Sequence, residues 1–372
     1  MEGMVVNSKI DLSFWKGKNV LLTGHTGFKG SWLSIWLMKS GANVIGYSLD
    51  PPTKPNLFEL AKVADGMISI KSNILDFENL KNVIKKYKPE IIIHMAAQSL
   101  VHHSYTNPHE TFATNIMGTV NLFEVIRQLG NVKVVLNITS DKCYENKEQT
   151  KGYSETDTLG GYDPYSSSKG CAELITTAFR QSFFNPNEFS KHETLIASAR
   201  AGNVIGGGDW ASNRLIPDIV RALFDSKDLT IRNPQATRPW QHVLEPLSAY
   251  MLLIEKLWKE GPKYAEAWNF GPDDSDIKQV SWVVEHFIKK WGEKVNWKFD
   301  SKETPHETQY LKLDCSKAKT KLGWHQHWNI ETAIEKTVEW YKALKEKKDM
   351  NEVTLSQVKE YEKKFTYNLL NT

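Results

Sequence analysis

The chain has 372 residues, 40% of them hydrophobic and 24% charged, with a formal net charge of +3. That length exceeds one typical domain and can bury a large core, and the composition is that of a soluble globular protein. Lysine and arginine are spread along the chain rather than gathered in a stripe, which argues against a nucleic-acid partner.

In chain order, the apolar run 18–23 predicts a buried strand that ends in glycines. A helix over 31–40 follows and stops at Gly41. Strands are expected at 43–47, 67–70, 90–95, 132–138 and 195–198, and helices at 79–87, 111–129 and 166–183. The strands read as apolar throughout instead of alternating, as strands covered on both faces do. This alternation of strand and helix predicts an α/β fold: a doubly wound parallel sheet, Rossmann-like, with a smaller α/β region after it. After Gly202 the texture changes, with loop signals at 206–210, 233–234 and 238–239. Helices at 215–224, 244–260, 280–291 and 331–345 alternate there with short strands such as 268–270. The expected division is a dinucleotide-binding part, 1–202, which also receives parts of about 236–272. An interleaved substrate-binding region spans 203–345. Residues 346–372 read as a charged tail with a short helix at 355–363.

The turn Gly24-His-Thr-Gly27-Phe28-Lys-Gly30 lies between the first strand and the first helix. A glycine triplet alone is often a plain turn. In this context it predicts a pyrophosphate cradle: one glycine for the tight turn, one for close approach of the phosphates, one for helix–strand packing. Asp50, past the end of the second strand, is a candidate for the adenine ribose and would favour NAD over NADP, while nearby Lys54 argues the other way. Asn73 and Ile74 follow the third strand and are candidates for the adenine edge.

Tyr165 and Lys169 share one helical face, and Pro164 suits the helix entry. A lysine ammonium lowers a neighbouring phenol's pKa, so the pair suits removal of a hydroxyl proton during hydride chemistry. Ser140, Asp141 and Lys142 follow the strand 132–138, at the end where ligands sit in parallel sheets. Asp141 and Lys142 reach one substrate only if the strand has ended there, because neighbours on a strand face opposite ways. The alternative is a turn with a solvated charge pair. An aspartic acid of raised pKa donates to a leaving hydroxyl, and a lysine of lowered pKa acts as a base.

Three scattered cysteines (Cys143, Cys171, Cys315) give no disulfide framework, and no CxxC or HExxH occurs. His102-His103 and His325/His327 lack ligand partners, so no metal is expected. No apolar run of about 18 residues is present, so no membrane span is expected, and the expected compartment is the cytoplasm.

The motifs TGHTGFKG (23–30), HMAAQS (94–99), TSDKCYE (139–145), YSSSK (165–169), AGNVIGGGDW (201–210), TRPWQHVLEPL (237–247) and LKLDCSKAK (311–319) together resemble extended short-chain dehydrogenase/reductases acting on nucleotide sugars. The resemblance covers roughly 14–345 and points to their 4,6-dehydratases. It implies NAD as cofactor and CDP-glucose as substrate. It also implies that Thr139, Ala96, Ala97 and Gln98 help hold the cofactor and that Lys169 binds its nicotinamide ribose. By the same resemblance, Tyr165 takes the proton of the sugar 4-hydroxyl, Ser140 bonds the 4-oxygen, Lys142 removes the C5 proton, and Asp141 protonates the departing 6-hydroxyl. Ser99, Asn203, Arg214, Arg238, His306 and Tyr310 are the candidate substrate-binding residues, with Trp240 beside them. Relatives acting on dTDP- and GDP-sugars carry glutamate where Lys142 stands. UDP-N-acetylglucosamine 4,6-dehydratases that pair Asp with Lys are the nearest rival. An epimerase or reductase of the same fold, or a non-catalytic nucleotide sensor, are the others. The resemblance further implies deoxysugar supply for surface polysaccharide such as the O-antigen of lipopolysaccharide. The long helices 111–129 and 166–183 offer a face for a homodimer or homotetramer.

Overall fold

The computed structural model describes residues 10–293, 295–299 and 310–367. Six strands, β1 (Asn19–Thr23), β2 (Asn43–Ser48), β3 (Ile68–Lys71), β4 (Ile91–His94), β5 (Val134–Ile138) and β6 (Leu195–Ala201), form one sheet with a seventh, Ala267–Phe270. The spatial order is Ala267–Phe270, β6, β5, β4, β1, β2, β3, and every pairing is parallel. The chain direction across the sheet reverses between β1 and β4. A crevice opens there at the carboxyl ends of the strands.

Side-chain alternation explains why β1, β4 and β5 are apolar throughout. Val20, Leu22, Ile93 and Leu136 face one side, among the helix α1 (Phe28–Lys39) and the helices Leu244–Glu260 and Ile330–Lys345. Leu21, Ile92 and Val135 face the other, against the helices Phe77–Tyr87 and Gly118–Leu129. Beyond the sheet, short pairs fold over its carboxyl edge: Val204–Ile205 with Gln241–His242, Thr237–Pro239 with Ile277–Gln279, and Leu229–Ile231 with Trp297–Phe299.

Two elements differ from the sequence expectation. The helix expected at 111–129 starts at Pro108 and carries a π turn, Ala113–Met117, before Gly118–Leu129. Asn115 sits in that turn, buried, with its side chain bonded to the backbone N and O of Gln98 and to Ser168 Oγ. Such extra-residue turns re-aim a side chain. The charged tail forms not a short helix after a linker but a docked one, Met350–Tyr367. Its Val358 and Tyr361 are fully buried, and Glu362 receives Trp36 Nε1 at 2.9 Å and Lys39 Nζ at 2.5 Å from α1. The charges that read as a linker are the outer face of this helix.

One carboxyl ties the late elements together. Glu245, at the start of Leu244–Glu260, accepts from Trp328 N (2.7 Å), His327 N (3.1 Å) and Tyr361 Oη (2.8 Å). Burial pushes it up to about 8 against these donors. The unfolded chain ionises this group near 4.5 and the folded chain only near 8. Between those values the folded state keeps a proton that the unfolded state has lost. Stability is therefore full below the lower value and falls as pH rises to the upper one, by up to about 1.4 kcal/mol per pH unit. Glu245→Gln should flatten the fall in melting midpoint between about pH 5 and 8 relative to wild type. Equal slopes in the two proteins would contradict the assignment.

Candidate active site

β1 runs into a turn whose glycines have separate jobs. Gly24 has φ +76°, and a Cβ there would lie 2.8 Å from Ala96 N. A Cβ on Gly30 would lie 2.1 Å from Gly24 O, so helix and turn touch backbone to backbone. Gly27 has only an ordinary contact at 3.4 Å and caps α1 without a side-chain bond. The first amides of α1 are thus open to an anion, and the residues fit a dinucleotide pyrophosphate. Phe28 lines the same cavity, about 810 Å³ in volume, that opens above this turn.

At one end the cavity is walled by Asp50, Asn73 and Ile74. Asp50 pairs with Lys71, a partner the sequence did not suggest. Asn73 caps its own turn through Leu75 N and accepts Tyr47 Oη at its carbonyl. Ala96, Ala97, Gln98 and Ser99 line the middle, after β4.

β5 ends at Ile138, and Ser140 then caps a single 3-10 turn, Asp141–Cys143, by accepting from Lys142 N at 3.2 Å. This turn abolishes the strand alternation, so Thr139, Ser140, Asp141 and Lys142 all line the cavity. Asp141 is 2% exposed. Its Oδ1 accepts from Ser140 Oγ at 3.0 Å, and Oδ2 has no hydrogen-bond partner among the described residues. Burial raises its pKa, opposed chiefly by Lys142 and then by Ser140 and Arg238.

The helix Pro164–Ser182 begins at Asp163, whose carboxylate accepts from Ser166 N at 2.9 Å. Its first turns bring Tyr165 and Lys169 to the same cavity. Burial pushes the Tyr165 phenol up to about 12, opposed by Ser140 beside it. Lys169 does not offset this. Its Nζ bonds Ile138 O at 3.3 Å, and burial brings it down to about 8 while Glu173 pulls it up. One turn further on, buried Glu173 accepts from Thr139 Oγ1 (2.5 Å), Ser198 Oγ (2.7 Å) and Arg200 Nη2 (2.8 Å). Burial alone would raise Glu173, but Arg200 and these donors hold it below its ordinary value.

From the C-terminal part, Asn203, Arg214, Arg238 and Trp240 line the cavity. Arg214 pairs with Asp209 at 3.1 Å and reaches Ser99 Oγ at 3.3 Å. Arg238 bonds Thr237 O at 3.0 Å. Tyr310 bridges to Thr237, next to Arg238, and its hydroxyl reaches Thr150 O at 3.5 Å. His306 lies outside the described residues. His102 and His103, given no role from sequence, both line the cavity, and His103 pairs with Glu110 at 2.9 Å. Sequence reasoning also passed over Lys29. Its Nζ donates to Tyr250 Oη at 2.9 Å, and burial, then Lys169 and Arg214, bring it down to about 7. A lysine inside the glycine turn was the available signal. Among the described residues no group of three or more His, Cys, Asp or Glu is placed to hold a metal, and no helix is long and apolar enough to cross a membrane.

The family model described as GDP-mannose 4,6 dehydratase matches residues 21–337. A curated CDP-glucose 4,6-dehydratase of Salmonella typhimurium is 54% identical over 95% of this chain and 98% of its own length. A dTDP-glucose 4,6-dehydratase of Haemophilus influenzae is 25% identical over 87% of this chain and 97% of its own. Among solved structures, dTDP-glucose 4,6-dehydratase from Bacillus anthracis in complex with NAD aligns with a TM-score of 0.73 at 24% identity, covering 90% of this chain and all of that one.

The two glycines predict separable defects. Gly30→Ala should lower the melting midpoint sharply, because its Cβ meets backbone that cannot yield. Gly27→Ala should fold normally but bind a dinucleotide at least about tenfold more weakly by titration calorimetry. Equal melting midpoints for the two variants would contradict this division.

Proposed function

Because the chain belongs to the GDP-mannose 4,6 dehydratase family, we propose that the hexose its cavity dehydrates is the glucose of CDP-glucose, with CDP-4-dehydro-6-deoxy-D-glucose as product. The enzyme is a nucleotide-sugar 4,6-dehydratase, a hydro-lyase. The observation that carries the reading is the turn after β5. It gives Asp141 and Lys142 one shared cavity with Tyr165 and Lys169, where a charge pair in solvent was the alternative.

NAD is the cofactor, and Gly24, Gly27, Phe28 and Gly30 would hold its pyrophosphate, with Asp50, Asn73 and Ile74 toward its adenosine and Ala96, Ala97, Gln98, Thr139, Tyr165 and Lys169 toward its nicotinamide half. Bound there, its cationic ring would supply an acceptor for the hydride of the sugar C4 and, once reduced, a donor for C6. Tyr165 takes the proton of the 4-hydroxyl, and Ser140 bonds the 4-oxygen. The C4 ketone acidifies C5–H, and Lys142 removes that proton. Asp141, whose pKa burial raises, gives its proton to the 6-oxygen as water leaves. Lys142 then returns its proton to C5. Arg214 and Arg238 suit the substrate pyrophosphate, with Ser99 and Asn203 beside them.

The exposed Phe112 (36%), Met117 (48%), Leu174 (58%) and Phe183 (49%) lie on or at the end of the helices running from Pro108 to Leu129 and from Pro164 to Ser182. They support pairing of two copies through these helices as a homodimer or homotetramer. The setting is the cytoplasm, in deoxysugar supply for surface polysaccharide.

With NAD and CDP-glucose the enzyme should form the 4-keto-6-deoxy sugar, and UDP-N-acetylglucosamine should be turned over far more slowly. The opposite preference would overturn the assigned substrate. Lys142→Met should keep C4 oxidation, read from the absorbance of the reduced cofactor, and slow water loss by about a hundredfold or more. Wild-type elimination in that variant would remove Lys142 as the base. Tyr165→Phe should lose the absorbance change, and an unchanged signal would exclude its role.

A further inference from the structure

With CDP-glucose as the substrate, as proposed above, the cavity has to tell cytosine from uracil. The two bases differ along one edge. Cytosine carries an amino donor at C4 and an acceptor at N3, where uracil carries a carbonyl oxygen and an N–H. A side-chain amide can turn over and serve either base, and a hydroxyl both donates and accepts. An ionised carboxylate only accepts, so it welcomes the amino group and repels the carbonyl.

Five carboxyl side chains line the cavity: Asp50, Glu110, Asp141, Asp209 and Asp218. Four are committed elsewhere. Asp50 pairs with Lys71 at the adenosine end, and Asp141 belongs to the reaction centre. Glu110 pairs with His103 at 2.9 Å, just after the segment assigned to the nicotinamide half. Asp209 has both oxygens engaged, Oδ1 by Ala211 N and Oδ2 by Arg214 Nη1, each at 3.1 Å. Asp218 remains. Its Oδ1 receives Arg221 Nη2, while Oδ2 takes no hydrogen bond among the described residues. Arg221 is itself anchored on Trp210 O at 2.9 Å and Ala211 O at 3.3 Å, so it fixes the carboxylate. It also opposes the rise in pKa that burial gives Asp218. The Asp218 side chain is 35% exposed, so a ligand in the cavity can reach it.

Its place in the chain fits as well. A nucleotide sugar is a line of hexose, pyrophosphate, ribose and base. Arg214, assigned to the pyrophosphate, caps the helix Leu215–Asp225, and Asp218 N bonds Arg214 O at 3.0 Å, one turn along. The strand Leu229–Ile231 runs into Arg232, whose Nη2 donates to Asn213 O at 3.2 Å, so this segment walls the cavity beside the start of that helix. Buried Ile216, Pro217 and Ile231 in the same wall supply the apolar surface that a flat ring needs.

We infer that Asp218 selects cytosine, its Oδ2 accepting a hydrogen bond from the C4 amino group. Arg232, which can only donate, suits the N3 acceptor beside it. The base lies beyond the pyrophosphate from the reacting carbons. Loss of this contact therefore raises KM and leaves kcat nearly unchanged.

The test changes protein and ligand together. NAD-loaded enzyme is titrated in a calorimeter with CDP, with UDP and with the diphosphate of pyrimidin-2-one riboside, which lacks the amino group. Wild type should bind CDP at least about tenfold more tightly than either of the others. Asp218→Ala should bind CDP and the pyrimidin-2-one diphosphate within about twofold of each other. With CDP-glucose its KM should rise at least about tenfold and its kcat stay within about threefold of wild type. Asp218→Asn keeps the size and an acceptor for Arg221, so it decides where Asp218→Ala does not fold, and it should narrow the preference for CDP over UDP at least about tenfold. Wild type binding CDP and the pyrimidin-2-one diphosphate alike, or variants that keep the wild-type ratios, would show that the base is read elsewhere and leave the substrate assignment standing. Wild type turning over UDP-glucose in preference to CDP-glucose would sink both.

Discussion

The carboxylate of Glu173 decides where the chemistry sits. It binds Thr139 at the end of β5, Ser198 and Arg200 on β6, and belongs to the helix that carries Tyr165 and Lys169. Three elements are thereby fixed around one fully buried charge. A buried ion pair is weak as a source of stability, because desolvation consumes much of the Coulomb gain. It is strong as a constraint, since removing one partner strands the other. Arg200 is also held by Tyr144 Oη at 2.7 Å, and Tyr144 in turn donates to Asn269 Oδ1 on the seventh strand. The constraint therefore extends across the edge of the sheet from which Asp141 and Lys142 project.

Within this frame, burial dominates the electrostatics. Lys29 and Lys169 are drawn down to about 7 and 8, and Asp141 is raised, each with burial as the largest cause. A weakly screened cavity penalises the charged form of each group buried in it. Tyr165 shows the cost. Its phenol rises to about 12, although the tyrosine–lysine spacing suggested the reverse. The lysine is near in sequence but spends its ammonium on the Ile138 carbonyl.

Much of the fold was legible because parallel strands buried on both faces have an unmistakable apolar texture. β1, β2, β4 and β5 lie within a residue or two of their expected bounds. The glycine turn and the pair Tyr165/Lys169 were legible because their spacing is itself geometry. What escaped was whatever depends on distant partners. The π turn at Asn115 follows from Gln98 and Ser168, neither of which a local pattern reveals. The helix Met350–Tyr367 looked like a solvated tail because its buried stripe, Val358 and Tyr361, is narrow among charges. Lys29 resembled any surface lysine until Tyr250 was seen opposite it.

The docking of that last helix on α1 also bears on how the protein is made. Trp36 finds Glu362 at a separation of 326 residues, and β6 gains its outer neighbour only when 267–270 arrive. A ribosome delivers the amino-terminal strands first, and an indole meant for the interior stays uncovered until the final turns emerge. Nascent chains of this enzyme therefore pass a long interval with a sticky flank, and chaperone demand should be set by synthesis time more than by the strength of any native contact.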